Sequence, residues 1–294
     1  MTSSPHNNNE ESPSRLSLAG ITVRFGETLA LEGITLDVEP GERLAIIGAS
    51  GAGKSTLFRA LTRTVALTSG KVTLGDRDLY ALSKKELKHV RRRVGTIYQA
   101  YNLVPQLPAG VNVALGEVGG MGSAKTLRTF LRGPDRALAG RVEAALDRVG
   151  LAGLASQRTA ELSGGQQQRV AVARILVQRP DLILADEPFA AVDPVTTERV
   201  MEALFELNGE GATLVANLHD VQIAHRFPRI VALREGRLVF DGPPEHLTED
   251  SLDRIYAGDP YGTVASQSER DEDTRHRRQD PIRISEGQDG ISAH

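Results

Sequence analysis

The sequence predicts an α/β fold: a largely parallel sheet with helices between its strands, a small antiparallel β layer beside it, and a helical subdomain set into the middle. Three observations predict it. Arg43-Leu44-Ala45-Ile46-Ile47 is an apolar run of strand length, followed by a glycine-rich loop and then by a stretch of helical character from Lys54 to Arg63. Leu182–Ala185, Thr213–Leu218 and Ile230–Arg234 are further short apolar runs, with a helix expected over Pro194–Asn208. Between Ala109 and Gln178 the apolar spacing changes to threes and fours, through Leu138, Val142, Leu146 and Val149 and again through Val170, Ala173 and Leu176.

Taken in chain order, residues 1–15 are polar, with an Asn run and two prolines, and read as a disordered tail. Leu16–Val38 and Lys71–Leu74 are strand-like, with turns expected at Gly26 and Gly33, and they supply the antiparallel layer. Ser83-Lys84-Lys85-Glu86 is a capping box, so a helix starts there and runs toward Arg93, ahead of a strand over Val94–Tyr98. A helix over Gln167–Gln178 closes the helical subdomain. Asp193 followed by Pro194 is a strong helix start, a cap and then proline at the first helical position. From residue 264 to 294 charges mix with Gly and Ser, which reads as a second solvated tail. One domain is therefore expected over residues 16–263, with its helical subdomain at about 100–178.

Composition narrows the chemistry. A 40% hydrophobic content is enough for a substantial core. A formal net charge of −3, with 4% aromatics and no Trp, offers neither a basic groove nor a stacking platform, so nucleic acid is not an expected partner. The absence of Cys excludes disulfides, thiolate metal sites and a Cys nucleophile. No apolar stretch reaches membrane-span length and the N-terminal residues lack a signal-peptide core, so any membrane association is expected to come through a partner.

Three segments carry the chemistry. Gly48-Ala49-Ser50-Gly51-Ala52-Gly53-Lys54-Ser55 is a complete phosphate-binding loop in its strand-loop-helix context. Its glycines let successive N–H groups converge on phosphate oxygens, and the helix N-terminus adds partial positive charge. In such a loop Lys54 reaches the β- and γ-phosphates and the Ser55 hydroxyl ligates Mg²⁺. Asp186-Glu187 ends a buried strand, where open α/β sheets bind ligands; Asp186 suits Mg²⁺, through water, and Glu187 suits polarisation of an attacking water. Leu162-Ser163-Gly164-Gly165-Gln166, ahead of the expected helix, offers donors at a helix N-terminus and so a second anion site.

In this order the three segments resemble the ATP-binding-cassette (ABC) family, and the resemblance runs from about Leu16 to Gly262. It implies a RecA-like P-loop NTPase core in which ATP is the substrate and Mg²⁺ the cofactor. The residues Gly48, Ala49, Ser50, Gly51, Ala52, Gly53, Lys54, Ser55 and Thr56 would cradle the phosphates, and Phe25 would stack on adenine. Ser163, Gly164, Gly165 and Gln166 match the signature motif, which in the family meets the nucleotide held by a second subunit. Gln99 matches the Q-loop glutamine that reaches Mg²⁺ and the attacking water, Asp193 the D-loop aspartate, and His219 the switch histidine that contacts the γ-phosphate. The implied catalytic set is Glu187, His219 and Gln99, and the implied metal set Ser55, Gln99 and Asp186. The implied partners are a second copy of the chain, transmembrane permease subunits and, indirectly, a periplasmic substrate-binding protein. That arrangement places the chain peripherally on the cytoplasmic face of the cell membrane.

Within the family the chain is most similar to the ATPases of phosphonate importers. The similarity rests on Tyr98–Val104, Gln166–Arg169, Asn217-Leu218-His219, Val239–Pro244 and the long segment Gly116–Gly140. Several of these pieces recur in phosphate and amino-acid importers, which keeps those substrates, and a non-transport accessory role, as alternatives. Two departures stand out. The D-loop reads Ala190-Ala191-Val192-Asp193 where the family usually has Ser-Leu-Asp. Pro108-Ala109-Gly110-Val111-Asn112-Val113 replaces the usual Leu-Glu-Asn-Val and brings in a helix-weakening Gly.

Overall fold

The computed structural model describes residues 14–98, 100–118, 123–189 and 193–257. Almost all of the N-terminal stretch and all of the C-terminal stretch read above as tails lie outside these residues, as do Gln99 and Ala190 to Val192.

The antiparallel layer is a four-stranded sheet in the order β2-β1-β4-β5, from β1 (Leu16–Phe25), β2 (Thr28–Val38), β4 (Ser69–Leu74) and β5 (Arg77–Asp78). Along β1 the apolar side chains Leu16, Leu18, Ile21 and Val23 are buried, and the step from Leu18 to Ile21 breaks the two-residue period. A bulge accounts for it: Gly20 takes a φ of +58° and the register against β2 shifts between Leu18 and Ile21. Gly33, expected as a turn, also lies at a shift of that register, inside an unbroken eleven-residue strand. Threonines serve both irregularities, since Gly20 N–H donates to Thr35 Oγ1 and Gly33 N–H to Thr22 Oγ1, each at 3.1 Å. Gly26 does form the expected hairpin turn.

The central sheet has six strands in the order β10-β9-β3-β8-β7-β6: β3 (Arg43–Ile47), β6 (Val94–Ile97), β7 (Leu182–Asp186), β8 (Thr213–Asn217), β9 (Arg229–Arg234) and β10 (Arg237–Gly242). All neighbours are parallel except the β9–β10 hairpin. Strands β3, β7, β8 and β9 are largely apolar on both faces because both faces are covered. Leu44 and Ile46 of β3 pack with α1 (Lys54–Leu61) and the antiparallel layer, while Ala45 and Ile47 pack on the opposite side with the remaining helices. Leu182 and Leu184 against Ile183 and Ala185 divide in the same way.

The helices follow local signals. α2 (Lys84–Arg93) starts with the expected Ser83/Glu86 capping box. The helical subdomain contains α3 (Ala109–Val118), α4 (Ser123–Arg132), α5 (Arg136–Arg148) and α6 (Gly164–Gln178). After it come α7 (Pro194–Gly209), α8 (Val221–Ala224) and α9 (Glu249–Tyr256). α1 stops at Leu61 rather than Arg63, which turns left-handed at φ +53°. α6 begins at Gly164, three residues before the expected Gln167, because Ser163 itself is the N-cap. β10 and α9 have no counterpart in the sequence reading. β10 alternates exposed and half-buried residues, and α9 is two turns long, too short for a clear period.

Close packing of the helical subdomain depends on small residues. A Cβ on Gly116 would lie 2.3 Å from the Arg174 carbonyl oxygen, and one on Gly110 would lie 3.0 Å from that of Ala155. Gly110 N–H also donates to that Ala155 oxygen at 2.8 Å, so the glycine that weakens α3 intrinsically lets the chain at Ala155 sit against it. Asn112 is fully buried in α3. Its Oδ1 accepts from Val104 N–H at 2.8 Å, and its Nδ2 donates to the Val104 carbonyl at 3.0 Å and to Thr159 Oγ1 at 2.9 Å.

Among the described residues no helix is long and apolar enough to cross a membrane. Because Asn112 satisfies buried backbone groups that have no water to turn to, Asn112→Ala is expected to lower unfolding stability by about 2–3 kcal/mol in urea titrations.

Candidate functional site

Parallel register sets the site. Ile46 of β3 and Asp186 of β7 both pair with Asn217 of β8, and Leu218 N–H donates to the Ile46 carbonyl at 2.9 Å. The segments that leave β3, β7 and β8 therefore emerge side by side at one edge of the sheet, and they contain the phosphate-binding loop, Glu187 and His219.

In the loop, Gly48 has a φ of +146° and a Cβ there would fall 2.2 Å from the Leu233 carbonyl oxygen. Gly53 has a φ of +105° and its Cβ would fall 2.7 Å from the Ala30 carbonyl oxygen. Both positions exclude any larger residue. The β9–β10 turn supports the loop from outside: Gly236 N–H donates to the Ala52 carbonyl at 3.0 Å, and Glu32 N–H of β2 donates to the Gly236 carbonyl at 2.8 Å. At the other end of β9, Arg229 joins the two sheets, donating to the Asp37 carbonyl and to Glu42 Oε1 at 2.9 Å each, and holding Asp241 with two bonds.

The start of α1 fits an anion. Side chains of Ser83, Asp135, Ser163, Asp193, Asp220 and Thr248 cap α2, α5, α6, α7, α8 and α9, whereas α1 has Gly53 at its N-cap, no side-chain cap and no acid in its first turn. The first N–H groups of a helix have no intrahelical acceptor, so those of α1 are donors for phosphate oxygens. Lys54 is 5% exposed and reaches back over the loop, donating to the carbonyls of Gly48 at 2.5 Å and Ala49 at 3.0 Å. Ser55 and Thr56 follow in the first turn of α1.

At the end of β7, Asp186 Oδ1 accepts from Asn217 Nδ2 at 2.6 Å. Burial pushes the Asp186 carboxyl above the usual carboxylate range, and the Asn217 bond works against that push. Glu187 Oε1 lies 2.6 Å from His219 Nε2, with the glutamate side chain 13% and the histidine side chain 55% exposed. His219 stands two residues past β8, which ends at Asn217 rather than Leu218. A cavity of about 430 Å³ opens at this pair, lined also by Phe189, Asn217 and Asp220.

Other predicted residues lie farther along the fold. Phe25, at the end of β1, is 46% exposed. Ser163 Oγ accepts from Gln166 N–H at 3.3 Å while Gln166 Oε1 accepts from Ser163 N–H at 2.8 Å, a second capping box. Gly164 and Gly165 are thus the first turn of α6 and not a flexible lead-in; the Ser163 hydroxyl still has its own proton to donate. Asp193 caps α7, and its bond from the Thr196 hydroxyl holds its carboxyl below the usual range. Gln99 lies outside the described residues, as does the Ala191 departure. The sequence reading assigned no role to Asn217 or Gln168, which touch the acidic pair directly. The signal was there: each is a polar residue at a position where its strand or helix is otherwise apolar.

The ABC transporter family model matches residues 31–190, more than half of the chain and the stretch that holds the loop, the Ser163 cap and the acidic pair. The chain belongs to the ABC transporter family. This cassette is 42% identical over 243 residues to the phosphonates import ATP-binding protein PhnC of Bradyrhizobium diazoefficiens, covering 82% of the chain and 89% of that protein. It is 43% identical over 240 residues to the protein of the same name from Alcaligenes faecalis, covering 81% and 86%. Among solved structures it is similar to the dimeric bacterial ABC transporter cassette MJ0796, with a TM-score of 0.71 and 33% identity over 78% of this chain and 98% of that one. The same cassette as a post-hydrolysis dimer with ADP and Pi aligns with a TM-score of 0.68. The cassette fold, with its antiparallel β layer and mixed core sheet, and the ATPase character of the chain are thus established.

Since Gly48 has no room for a methyl group against Leu233, Gly48→Ala is expected to cost about 2–4 kcal/mol in thermal or chemical denaturation. It is also expected to abolish nucleotide binding measured by calorimetry.

Proposed function

We propose that this cassette energises the import of phosphonates, working as a nucleotide-sandwich dimer of two copies attached to separate transmembrane permease subunits. The proposal places it peripherally on the cytoplasmic face of the membrane, with a periplasmic binding protein as its indirect partner. The observation that carries the substrate class is the extent of the match: more than four-fifths of the chain aligns at about 42% identity with proteins named for phosphonate import. The proposal takes in one ABC ATPase domain over residues 16–263.

The geometry supports hydrolysis as follows. The N–H groups of residues 48–56 hold the phosphates, and Lys54 exchanges its bonds to the Gly48 and Ala49 carbonyls for bonds to phosphate oxygens. The donors available for a cation are a hydroxyl, Ser55, and a carboxylate, Asp186, a hard oxygen set that fits Mg²⁺; Gln99 belongs to the proposed set by sequence. Bound Mg²⁺ would neutralise charge on the β- and γ-phosphates. Glu187 takes the proton of the attacking water, and His219, bonded to the same carboxylate, keeps it aimed at the γ-phosphate. Phe25 stacks on the adenine ring. Ser163, Gly164, Gly165 and Gln166 bind the γ-phosphate held by the second copy, whose Asp193 lies near the same junction.

Two tests address this reading. Glu187→Gln keeps the shape of the site and removes the proton acceptor, so it is expected to bind ATP normally, lose at least 100-fold in turnover, and accumulate as an ATP-bound dimer in light scattering. Unchanged turnover would refute the base. In proteoliposomes with the cognate permease, ATPase activity is expected to rise with binding protein loaded with an alkylphosphonate and not with binding protein loaded with inorganic phosphate or an amino acid.

A further inference from the structure

Glu187 has a φ of +53°, a left-handed conformation that a residue with a Cβ adopts only when its surroundings impose it. Two hydrogen bonds impose it, one on each side of the residue. Glu187 N–H donates to the Asn217 carbonyl of β8 at 3.1 Å. The Glu187 carbonyl accepts from Gln168 Nε2 of α6 at 2.8 Å.

The first bond continues the pairing of β7 with β8. The second is a side chain placed for this one purpose. Gln168 is 2% exposed and lies on the apolar side of α6, with Val172 one turn on and fully buried. Its Oε1 is buried with no hydrogen-bond partner. The amide cannot be reversed to cure that, because the group it faces is a carbonyl and only the nitrogen can donate to it. An unpaired buried amide oxygen costs stability, and an apolar side chain of similar length would fill the same space without that cost. Nothing in the packing asks for glutamine; the Glu187 peptide does.

We infer that Gln168 is a positioning residue for hydrolysis: it locks the left-handed peptide of Glu187 and thereby aims the carboxylate at His219 and the attacking water. The inference rests on the reading of Glu187 as the base. Loss of the Gln168 bond lets residue 187 relax toward ordinary φ values, and its Cα–Cβ vector swings away from the 2.6 Å contact with His219. Gln168 also follows Ser163 by five residues on one helix, about 7.5 Å along the axis. A shift of α6 driven by contacts at its signature end is delivered to the Glu187 peptide through a single hydrogen bond. In this way the turn proposed to meet the second nucleotide sets the geometry of the base in its own subunit.

The test uses the full-length chain with Gln168→Met, an apolar replacement of similar shape, and Gln168→Leu as a second. Expected are a 10- to 100-fold fall in kcat, a KM for ATP within twofold of the parent, and a melting temperature close to it, since removal of the unpaired oxygen offsets the lost bond to the Glu187 carbonyl. A double-mutant cycle isolates the route: in single-turnover measurements, adding Gln168→Met to Glu187→Gln should change the residual rate by less than twofold. A lowered melting temperature with losses that multiply in the double variant would overturn the inference in favour of a merely structural role. Parent-like kcat in both Gln168 variants beside an inactive Glu187→Gln would overturn this inference alone. Parent-like turnover in Glu187→Gln would overturn the base reading and this inference with it.

Discussion

The site depends on the side-by-side parallel pairing of β3, β8 and β7. Because Ile46, Asn217 and Asp186 stand in one row, three segments far apart in sequence leave the sheet together. The pairing holds because both faces of these strands are sealed. Alternate residues feed two separate cores, one under the antiparallel layer and one under the helices, and slipping a strand by one residue would exchange its side chains between cores of different shape. The row of carboxylate, carboxamide and loop is thus a by-product of apolar packing, and polar chemistry at the edge inherits its precision from the interior.

Electrostatics then refines what packing places. Asp186 is held at the end of a buried strand, where desolvation disfavours its charge, and Asn217 offsets part of that penalty with a direct bond. Asn217 lies between the acids, touching Asp186 with its side chain and Glu187 with its carbonyl. Helix α6 does comparable work from the other side. Gln168 holds the Glu187 carbonyl, and Arg174, farther along, donates to the Asn102 carbonyl at 2.9 Å and to that of Tyr101 at 3.4 Å. Tyr101 and Asn102 are themselves left-handed, at φ +55° and +50°. Three left-handed residues, Tyr101, Asn102 and Glu187, are thus held by side chains of α6.

Much of this was legible in the chain. The strand-loop-helix at residues 43–61, the capping box at Ser83 and the Asp193-Pro194 start depend on local chemistry, which a sequence displays directly. The acidic pair was legible for the same reason, as two charges ending an apolar run. What escaped depends on partners distant in sequence. Gly33 carries the composition of a turn but serves a bulge that only the opposite strand defines. Gly236 is an ordinary hairpin glycine until it is seen pressed between Ala52 and Glu32. Gln168 carries no mark of its bond to Glu187, nineteen residues away, beyond being polar on an apolar stripe. The start of α6 was expected three residues late, although Ser163 and Gln166 show the same capping-box spacing that marked α2.

The buried Asn112 has a mechanical meaning. With one amide it grips the chain at Val104 and the hydroxyl of Thr159, which in turn donates to the Leu107 carbonyl at 2.9 Å. The stretch that follows position 99 and the stretch that leads into Ser163 are therefore riveted to each other. Displacing the first stretch therefore pulls directly on the second through one buried amide, so movement at Val104 and movement at the serine end of α6 are bound together as by a pin.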